Sequence, residues 1–168
     1  RMTTTFYDSV VKTFNKKIKF DNREYKVILS EKNTFLIMSA IKMFKDKPFF
    51  GHGVKTFRIN CKEDPYKFEK FDAYGHRMNC STHPHNTYVQ LLAETGFFGF
   101  VLVSSIFLYI FFELAKGHFY RLKIANKKLY DFRICILTCI FISLFPLTTT
   151  GSFFNNWISI IYFYPIGI

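Results

Sequence analysis

The feature that most constrains this chain is an apolar run at residues 97–115. Its 19 residues carry a single charge, Glu113, close to the end of the run. As a helix rising about 1.5 Å per residue, the run is about 28 Å long, which matches the hydrocarbon core of a bilayer. The run therefore predicts a membrane-spanning helix, and we expect an all-α integral membrane protein.

Two further apolar segments follow the first. Residues 134–150 contain Pro146, which is tolerated in a membrane helix. Residues 153–168 offer Trp157 and Tyr162 as interface anchors. We therefore expect two to three transmembrane helices in residues 96–168. The chain starts with Arg1 and shows no signal peptide, so we interpret it as the C-terminal piece of a longer, polytopic membrane protein.

Charge predicts the orientation in the membrane. The connection at residues 116–133 holds six Lys and Arg against one acid, Asp131, and short basic loops remain cytoplasmic. Residues 1–95 then form a loop region on the other face, the periplasm in a bacterium, because long loops cross largely regardless of charge. The net charge of +11 favours membrane-flanking charge or a phosphate-rich lipid partner, since no nucleic-acid recognition motif is present.

Within the loop region, residues 33–46 show the periodicity of an amphipathic helix. Its apolar positions recur at helical spacing, namely Ile37, Ala40, Ile41 and Phe44. Such a helix lies on a membrane surface or packs on other helices. Gly51 and Gly53 then permit a tight turn, which either reverses the chain or approaches a ligand. Residues 1–32 are polar and basic, and we expect irregular loop or a short helix there.

A polar, histidine-containing stretch connects the loop region to the first apolar run. Pro84 suits the first position of a helix, which places His83, His85 and Asn86 at a helix start beside the bilayer. The positive end of the helix dipole lowers the pKa of a histidine there, and a neutral imidazole can accept a proton. Asn86 is placed either to cap the helix or to orient a sugar.

The four cysteines fall into two kinds. Cys135 and Cys139 lie in an apolar run and are most simply buried thiols. Cys61 and Cys80 flank a polar loop, which they can close as a disulfide if the loop faces an oxidising compartment. The alternative is a zinc site, whose ligands would be His76, Cys80, His83 and His85. Their spacing fits no common zinc motif, so we expect no metal site.

Two motifs resemble those of the O-antigen ligase and O-antigen polymerase group of bacterial membrane glycosyltransferases. The ligases carry a His, then Asn, Ser or Gln, nine residues, a Gly, two residues, and a Gly, Thr or Tyr. His85-Asn86, residues 87–95 and Gly96-Phe97-Phe98-Gly99 match this order position by position. The upstream segment Pro48-Phe49-Phe50-Gly51-His52-Gly53 is similar to the group's turn of Pro, two apolar residues and Gly-x-Gly.

The resemblance implies transfer of a glycan from an undecaprenyl-pyrophosphate carrier to a sugar acceptor, on the periplasmic face of the inner membrane. The acceptor is the lipid A core for a ligase and another lipid-linked repeat unit for a polymerase. His85 is then the candidate base for the acceptor hydroxyl. Positioned cations can neutralise the pyrophosphate leaving group, so no metal or other cofactor is needed.

The residue types also suggest which side chains bind the substrates. The candidate cations for the pyrophosphate are Arg58, Arg77 and Lys32, of which the arginines bind phosphate through two parallel hydrogen bonds. Ligases of the group usually have an arginine at the start of the amphipathic helix, where this chain has Lys32, so Lys32 or Arg58 supplies that charge. The remaining binding candidates are His83, Asn86 and Glu94, the last being either an interfacial polar residue or the partner of a cation.

A rival interpretation comes from a different class of protein. The chain would then be a non-enzymatic membrane protein, whose disulfide-closed periplasmic loop binds a ligand or partner. The motif at His85 and Asn86 discriminates between the two, because a binding module has no need for a base at a helix start beside the bilayer.

Overall fold

The fold is mostly helical. The computed structural model describes residues 17–20, 23–26, 30–69, 71, 75, 77–120, 127–155 and 160. The elements in this part of the chain are strands β1 (Lys17–Phe20) and β2 (Arg23–Lys26) and helices α1 (Glu31–Asp46), α2 (Phe57–Asn60), α3 (Thr87–Tyr120) and α4 (Lys127–Ser143). The expected helical architecture is confirmed at this level.

The two strands correct one prediction. β1 and β2 pair as an antiparallel hairpin, with Ile18 opposite Tyr25, where the sequence predicted irregular loop or a short helix. Charged and apolar residues alternate through Lys17-Ile18-Lys19-Phe20, which is the period of a strand. The two residues between the strands, Asp21 and Asn22, are of types that favour hairpin turns. The alternation and the turn residues together indicate a hairpin.

Helix α1 begins earlier than predicted, and its buried face coincides only in part with the predicted one. Ser30 is its N-cap, because the Ser30 side chain accepts the Asn33 N–H at 3.1 Å. The buried face consists of Thr34, Phe35, Leu36, Ser39, Ala40 and Met43. Ile41, which the sequence pattern placed on the packed face, is exposed instead. The helix packs chiefly against α3.

Helix α3 is broken into two arms. Gly96 has φ 68° and ψ −160°, which is not helical, so residues 87–95 form a first arm and residues 97–120 a second arm. Tyr88 and Phe107 would lie about 28 Å apart along a straight helix, yet their ring centroids are 6.4 Å apart. The first arm is therefore folded back along the side of the second arm.

The two arms have different surroundings. The first arm is largely buried, whereas the second exposes large apolar side chains, Phe97, Phe98, Leu102 and Phe112 among them. Among the described residues, one helix is long and apolar enough to cross a bilayer, with Thr87–Gly117 as the candidate span. Because of the break at Gly96, the straight part of that span is the second arm, which is about 31 Å long up to Gly117.

Helix α4 packs beside the second arm but does not match the predicted second span. It begins at Lys127, within the predicted basic loop, and ends at Ser143, ahead of Pro146. The segment predicted as a span at 134–150 is therefore helical only in its first part. A stacked pair, Phe107 and Phe141, joins the two helices with ring centroids 5.1 Å apart. Cys135 and Cys139 are free thiols, as expected, and they lie on the exposed surface of α4 and not in the protein core. Trp157 and Tyr162 lie outside the described residues.

Candidate active site

The two glycine turns of the sequence are joined to each other. The backbone of the turn at residues 48–53 pairs with residues 93–98 through four hydrogen bonds. These run from Phe97 N to Pro48 O (2.7 Å), Gly53 N to Glu94 O (2.8 Å), His52 N to Ala93 O (3.1 Å) and Phe98 N to Phe49 O (3.4 Å). The turn thus holds the junction between the two arms of α3.

Glycine is required on both sides of this junction. Gly51 has φ +65° and Gly96 has φ +68°, a region that other residues rarely adopt. A Cβ on Gly51 would lie 2.5 Å from the carbonyl carbon of Glu94, and a Cβ on Gly96 would collide with the carbonyl group of Phe49. The close approach anticipated at Gly51 is therefore made to the second motif.

The turn that carries the two motif histidines, residues 83–86 (the histidine turn), precedes helix α3 instead of starting it. α3 begins at Thr87, three residues after the predicted start at Pro84. Asn86 caps it, since its Oδ1 accepts the Val89 N–H at 3.1 Å. The Asn86 Nδ2 donates to Pro146 O at 2.8 Å. His85 has φ +55°, a left-handed conformation that turns the chain sharply ahead of the cap. Of the two roles weighed for Asn86, the structure provides the capping one.

The segment after α4 forms the other side of this turn. Thr150 N donates to His85 O at 3.0 Å, and the hydroxyls of Thr87 and Thr150 are 2.9 Å apart. The Tyr88 hydroxyl donates to Leu144 O at 2.7 Å. Sequence reasoning missed this segment as part of the site. The available signal was the polar stretch at residues 148–152, two residues after Pro146 in an otherwise apolar run.

His83 is a buried, fully bonded histidine. Its Nε2 lies 3.1 Å from Thr150 O, and its Nδ1 lies 2.8 Å from the Thr82 hydroxyl. Because a carbonyl only accepts, Nε2 carries the proton and Nδ1 accepts from Thr82. Burial lowers the pKa of His83, and the neighbouring His85 lowers it further, while the bond to Thr150 opposes the shift. Both nitrogens of the neutral ring are thus committed.

His85 is the less constrained of the two histidines. Its ring is half-buried and stands 4.4 Å from the ring of His83, centroid to centroid. Within the described residues its ring makes one polar contact, from Nε2 to Ser81 Oγ at 3.5 Å, the outer limit of a hydrogen bond. Burial lowers the pKa of His85, and the positive charge of Lys32 adds to that effect. The ring is therefore neutral at neutral pH, although the cause is burial and Lys32, whereas the sequence argument invoked the helix dipole.

The predicted cations fall on two sides of the histidine turn. Lys32, near the start of α1, acts on His85 through its charge. Arg58 lies in α2 and lines a cavity of about 400 Å³, together with Lys55, His83, Ser152 and others. Arg58 and Arg77 also line a larger cavity of about 890 Å³ next to the first. The structure thus brings Arg58, Arg77 and His83 to one basic cleft.

Glu94 is buried, with 1% of its surface exposed. Its Oε1 accepts the Phe57 N–H at 3.0 Å, and its Oε2 accepts from Gln90 Nε2 at 2.9 Å. Gln90 in turn donates to Ser152 Oγ at 3.0 Å and accepts the Phe153 N–H at 2.9 Å. In the described part of the chain, Glu94 therefore binds protein donors and holds two loops together, instead of pairing with a cation.

Cys61 and Cys80 are joined in a disulfide, with Cα atoms 5.4 Å apart. Cys61 is buried in the core and its carbonyl accepts from Asn79 Nδ2 at 2.8 Å, while Cys80 lines the larger cavity. No group of three His, Cys, Asp or Glu side chains among the described residues is arranged to hold a metal ion. His76, the remaining ligand of the alternative zinc site, lies outside those residues.

The histidine of the first glycine turn is also buried. His52 Nε2 lies 3.0 Å from Met43 O and 3.5 Å from Asp46 Oδ2. Its ring packs edge-on against Tyr66, with centroids 5.3 Å apart. The ring ties the turn to the end of α1, which is more than the passive turn position inferred from the sequence.

The sequence profile of the family described as O-antigen ligase matches residues 5–104, which is more than half of the chain. The matched region contains both glycine turns, the disulfide, His83 and His85. The chain belongs to the O-antigen ligase family, a family of glycan-transferring membrane enzymes of lipopolysaccharide biosynthesis in bacteria. Comparisons with curated proteins and with solved structures gave no match.

Proposed function

We propose that this chain contains the catalytic site of an enzyme that transfers or polymerises a glycan from an undecaprenyl-pyrophosphate-linked donor. The acceptor is a sugar hydroxyl, on the lipid A core or on another repeat unit. Membership of the O-antigen ligase family supports glycan transfer and does not favour the rival interpretation as a non-enzymatic binding protein. The observation that carries the proposal is the state of His85, which lines a small cavity of about 100 Å³ of its own and whose ring stands 4.4 Å from that of His83 in the wall of the basic cleft.

His85 has the properties of a general base. Its lowered pKa keeps the ring neutral, and its ring nitrogens are not held by short hydrogen bonds within the described residues. Both ring nitrogens of His83 already make hydrogen bonds within the protein, so His83 stabilises the turn instead. In the proposed reaction His85 takes the proton of the acceptor hydroxyl, and the hydroxyl oxygen forms a bond to the anomeric carbon of the donor. The bond from that carbon to the pyrophosphate oxygen breaks at the same time.

The leaving pyrophosphate takes the bonding electrons and needs positive charge around it. Arg58 and Lys55 line the cavity next to His83, and we assign the pyrophosphate to this cavity. An arginine holds a phosphate through two parallel hydrogen bonds and remains charged. Positioned cations of this kind stabilise the developing charge, so the proposed reaction needs no metal. Lys32 contributes through its charge on His85.

The proposed topology follows from charge and from the disulfide. Residues 1–95 form a periplasmic loop region and residues 116–133 a cytoplasmic connection, so that residues 96–168 belong to a multi-pass inner-membrane protein. The disulfide between Cys61 and Cys80 is consistent with an oxidising periplasm. Because the first arm is folded back beside Phe107, the histidine turn lies next to the membrane helices, where a lipid-linked donor is presented.

The test is His85→Ala in the complete enzyme, assayed with a purified lipid-linked donor and acceptor. Loss of a positioned base lowers the rate by about 10² to 10⁴, and membrane abundance should be unchanged. Lys128→Gln is the control, since Lys128 is exposed at the start of α4, away from the cleft, and should transfer at the wild-type rate. Wild-type transfer by His85→Ala protein would show that His85 is not the base.

A further inference from the structure

The larger of the two cavities is not explained by the pyrophosphate. It has a volume of about 890 Å³, and its walls include Arg58, Lys62, Arg77 and the aromatic ring of Phe71. No carboxylate lines it among the described residues. Cavities of 300 to about 1,000 Å³ hold drug-sized ligands, so there is room for several sugar residues. A second ligand-sized volume with three cations therefore adjoins the cavity assigned to the leaving group.

Arg77 supplies the second observation that points to a ligand here. Its Nη1 is buried, and no acceptor among the described residues reaches it. A buried donor without a partner is costly and is rare in folded proteins. The Arg77 guanidinium lies 5.8 Å from the centre of the Phe71 ring, and 53% of the Phe71 surface is exposed. A guanidinium with one unpartnered nitrogen and an open aromatic ring thus stand together at the cavity wall.

We propose that this cavity binds an acidic saccharide, one that carries a carboxylate or phosphate group. The anion pairs with Arg77, whose planar guanidinium can donate two parallel hydrogen bonds to it, and the apolar face of a sugar ring packs on Phe71. Arg58 and Thr82 line both cavities, so a saccharide in the larger one extends toward the histidine turn. The identity of this saccharide as part of a transfer substrate rests on the proposed function. The binding of an acidic saccharide to the cavity does not rest on it.

Binding of defined saccharides to the complete enzyme in detergent, measured by isothermal titration calorimetry, tests the proposal. Trigalacturonic acid supplies the carboxylates, maltotriose 6-phosphate supplies a phosphate, and maltotriose is the neutral control. A charge-assisted hydrogen bond is worth about 10- to 100-fold in affinity. At least one acidic trisaccharide should therefore bind about 10- to 100-fold more tightly than maltotriose, and the preferred one identifies the anion. Equal affinity for all three would overturn the proposal.

Variants locate the site. Arg77→Ala should remove the preference for the acidic saccharide, and Arg77→Lys should retain part of it, because the charge remains without the guanidinium fork. Arg133→Gln is the matched control, since Arg133 pairs with Glu113 at the far end of the second arm, and it should bind like the wild type. A preference that survives in both Arg77 variants would contradict the assignment. Both variants are first checked for an unchanged melting temperature, and Arg77→Lys serves if the alanine variant fails to fold.

Two further measurements distinguish this proposal from binding of the carrier pyrophosphate and from the proposed role of His85. Inorganic pyrophosphate should bind without a large loss in Arg77→Ala; if Arg77→Ala weakens pyrophosphate as much as it weakens the saccharide, the cavity is only an extension of the carrier site. His85→Ala should bind the acidic saccharide normally. Loss of transfer in His85→Ala without any acidic preference in the wild type would refute the saccharide site alone, whereas normal transfer in His85→Ala would refute the proposed base alone.

Discussion

We expect Gly96→Ala to destabilise the protein by about 2 to 6 kcal/mol, through two separable effects. The first is conformational: φ 68° and ψ −160° lie in a region used almost only by glycine, which costs about 1 to 3 kcal/mol for another residue. The second is steric, because the added Cβ would collide with the carbonyl group of Phe49 and lie 2.7 Å from Gly51 N. Overpacking of this kind costs about 1 to 3 kcal/mol. Both neighbours are backbone atoms, which cannot move aside by changing rotamer.

Gly75→Ala is the matched control for this substitution. Gly75 also has a positive φ, 79°, but a Cβ there would have no atom within 4 Å. It should lose only the conformational part, about 1 to 2 kcal/mol. Each kcal/mol moves the melting temperature by roughly 2 to 4 °C for a chain of this size. In thermal melts of detergent-purified protein, Gly96→Ala should fall by on the order of 10 °C and Gly75→Ala by a few degrees.

Gly51→Ala tests the same junction from the other side. Its Cβ would lie 2.5 Å from the Glu94 carbonyl carbon, so it should be destabilising to a similar extent. Combined with Gly96→Ala, the losses should sum to less than the two separately, because both open one contact. Equal melting temperatures for the Gly96→Ala and Gly75→Ala proteins would refute the idea that the junction of the two motifs is a close backbone contact.

Two further predictions concern charge and packing near the site. Lys32→Gln removes a positive charge that lowers the pKa of His85, so that pKa should rise and the acid limb of the pH–rate profile should move to higher pH. An unmoved limb would exclude either His85 as the base or Lys32 as its neighbour. His52→Ala should lower the melting temperature, because a buried ring that contacts Met43, Asp46 and Tyr66 is lost. An unchanged melting temperature would mean that the His52 ring does not contribute to the stability of the fold.

The sequence was informative where a pattern is local. The periodicity at residues 33–46 predicted α1, but its apolar residues form two stripes of similar character. Which of them is buried depends on the position of α3, which the pattern does not contain. The pattern therefore placed Ile41 on the packed face, although it is exposed. The alternation in β1 is equally local, so the hairpin is predictable from the sequence.

The site depended on contacts between distant segments, and these were not predictable. The sequence indicates that Gly51 is a turn residue. Its contact partner Glu94, however, lies 43 residues further along the chain, and the two meet only through packing. The contribution of Thr150 to the histidine turn is more distant still. Motif order and spacing nevertheless singled out His85, because that information is linear, and the structure adds a half-buried ring whose pKa is lowered.

The spacing of nine residues between Asn86 and Gly96 has a physical meaning in this fold. It is the length of the first arm, whose end at Gly96 is fixed by the backbone pairing with the turn at 48–53. Along that arm Glu94 holds the start of α2, which carries Arg58, and Gln90 holds the segment at Ser152. Both walls of the cleft are thus attached to one rigid helix. One residue more or fewer between Asn86 and Gln90 would rotate the histidine turn by about 100° about the arm axis, and this would change the positions of His83 and His85 relative to Arg58 and Ser152.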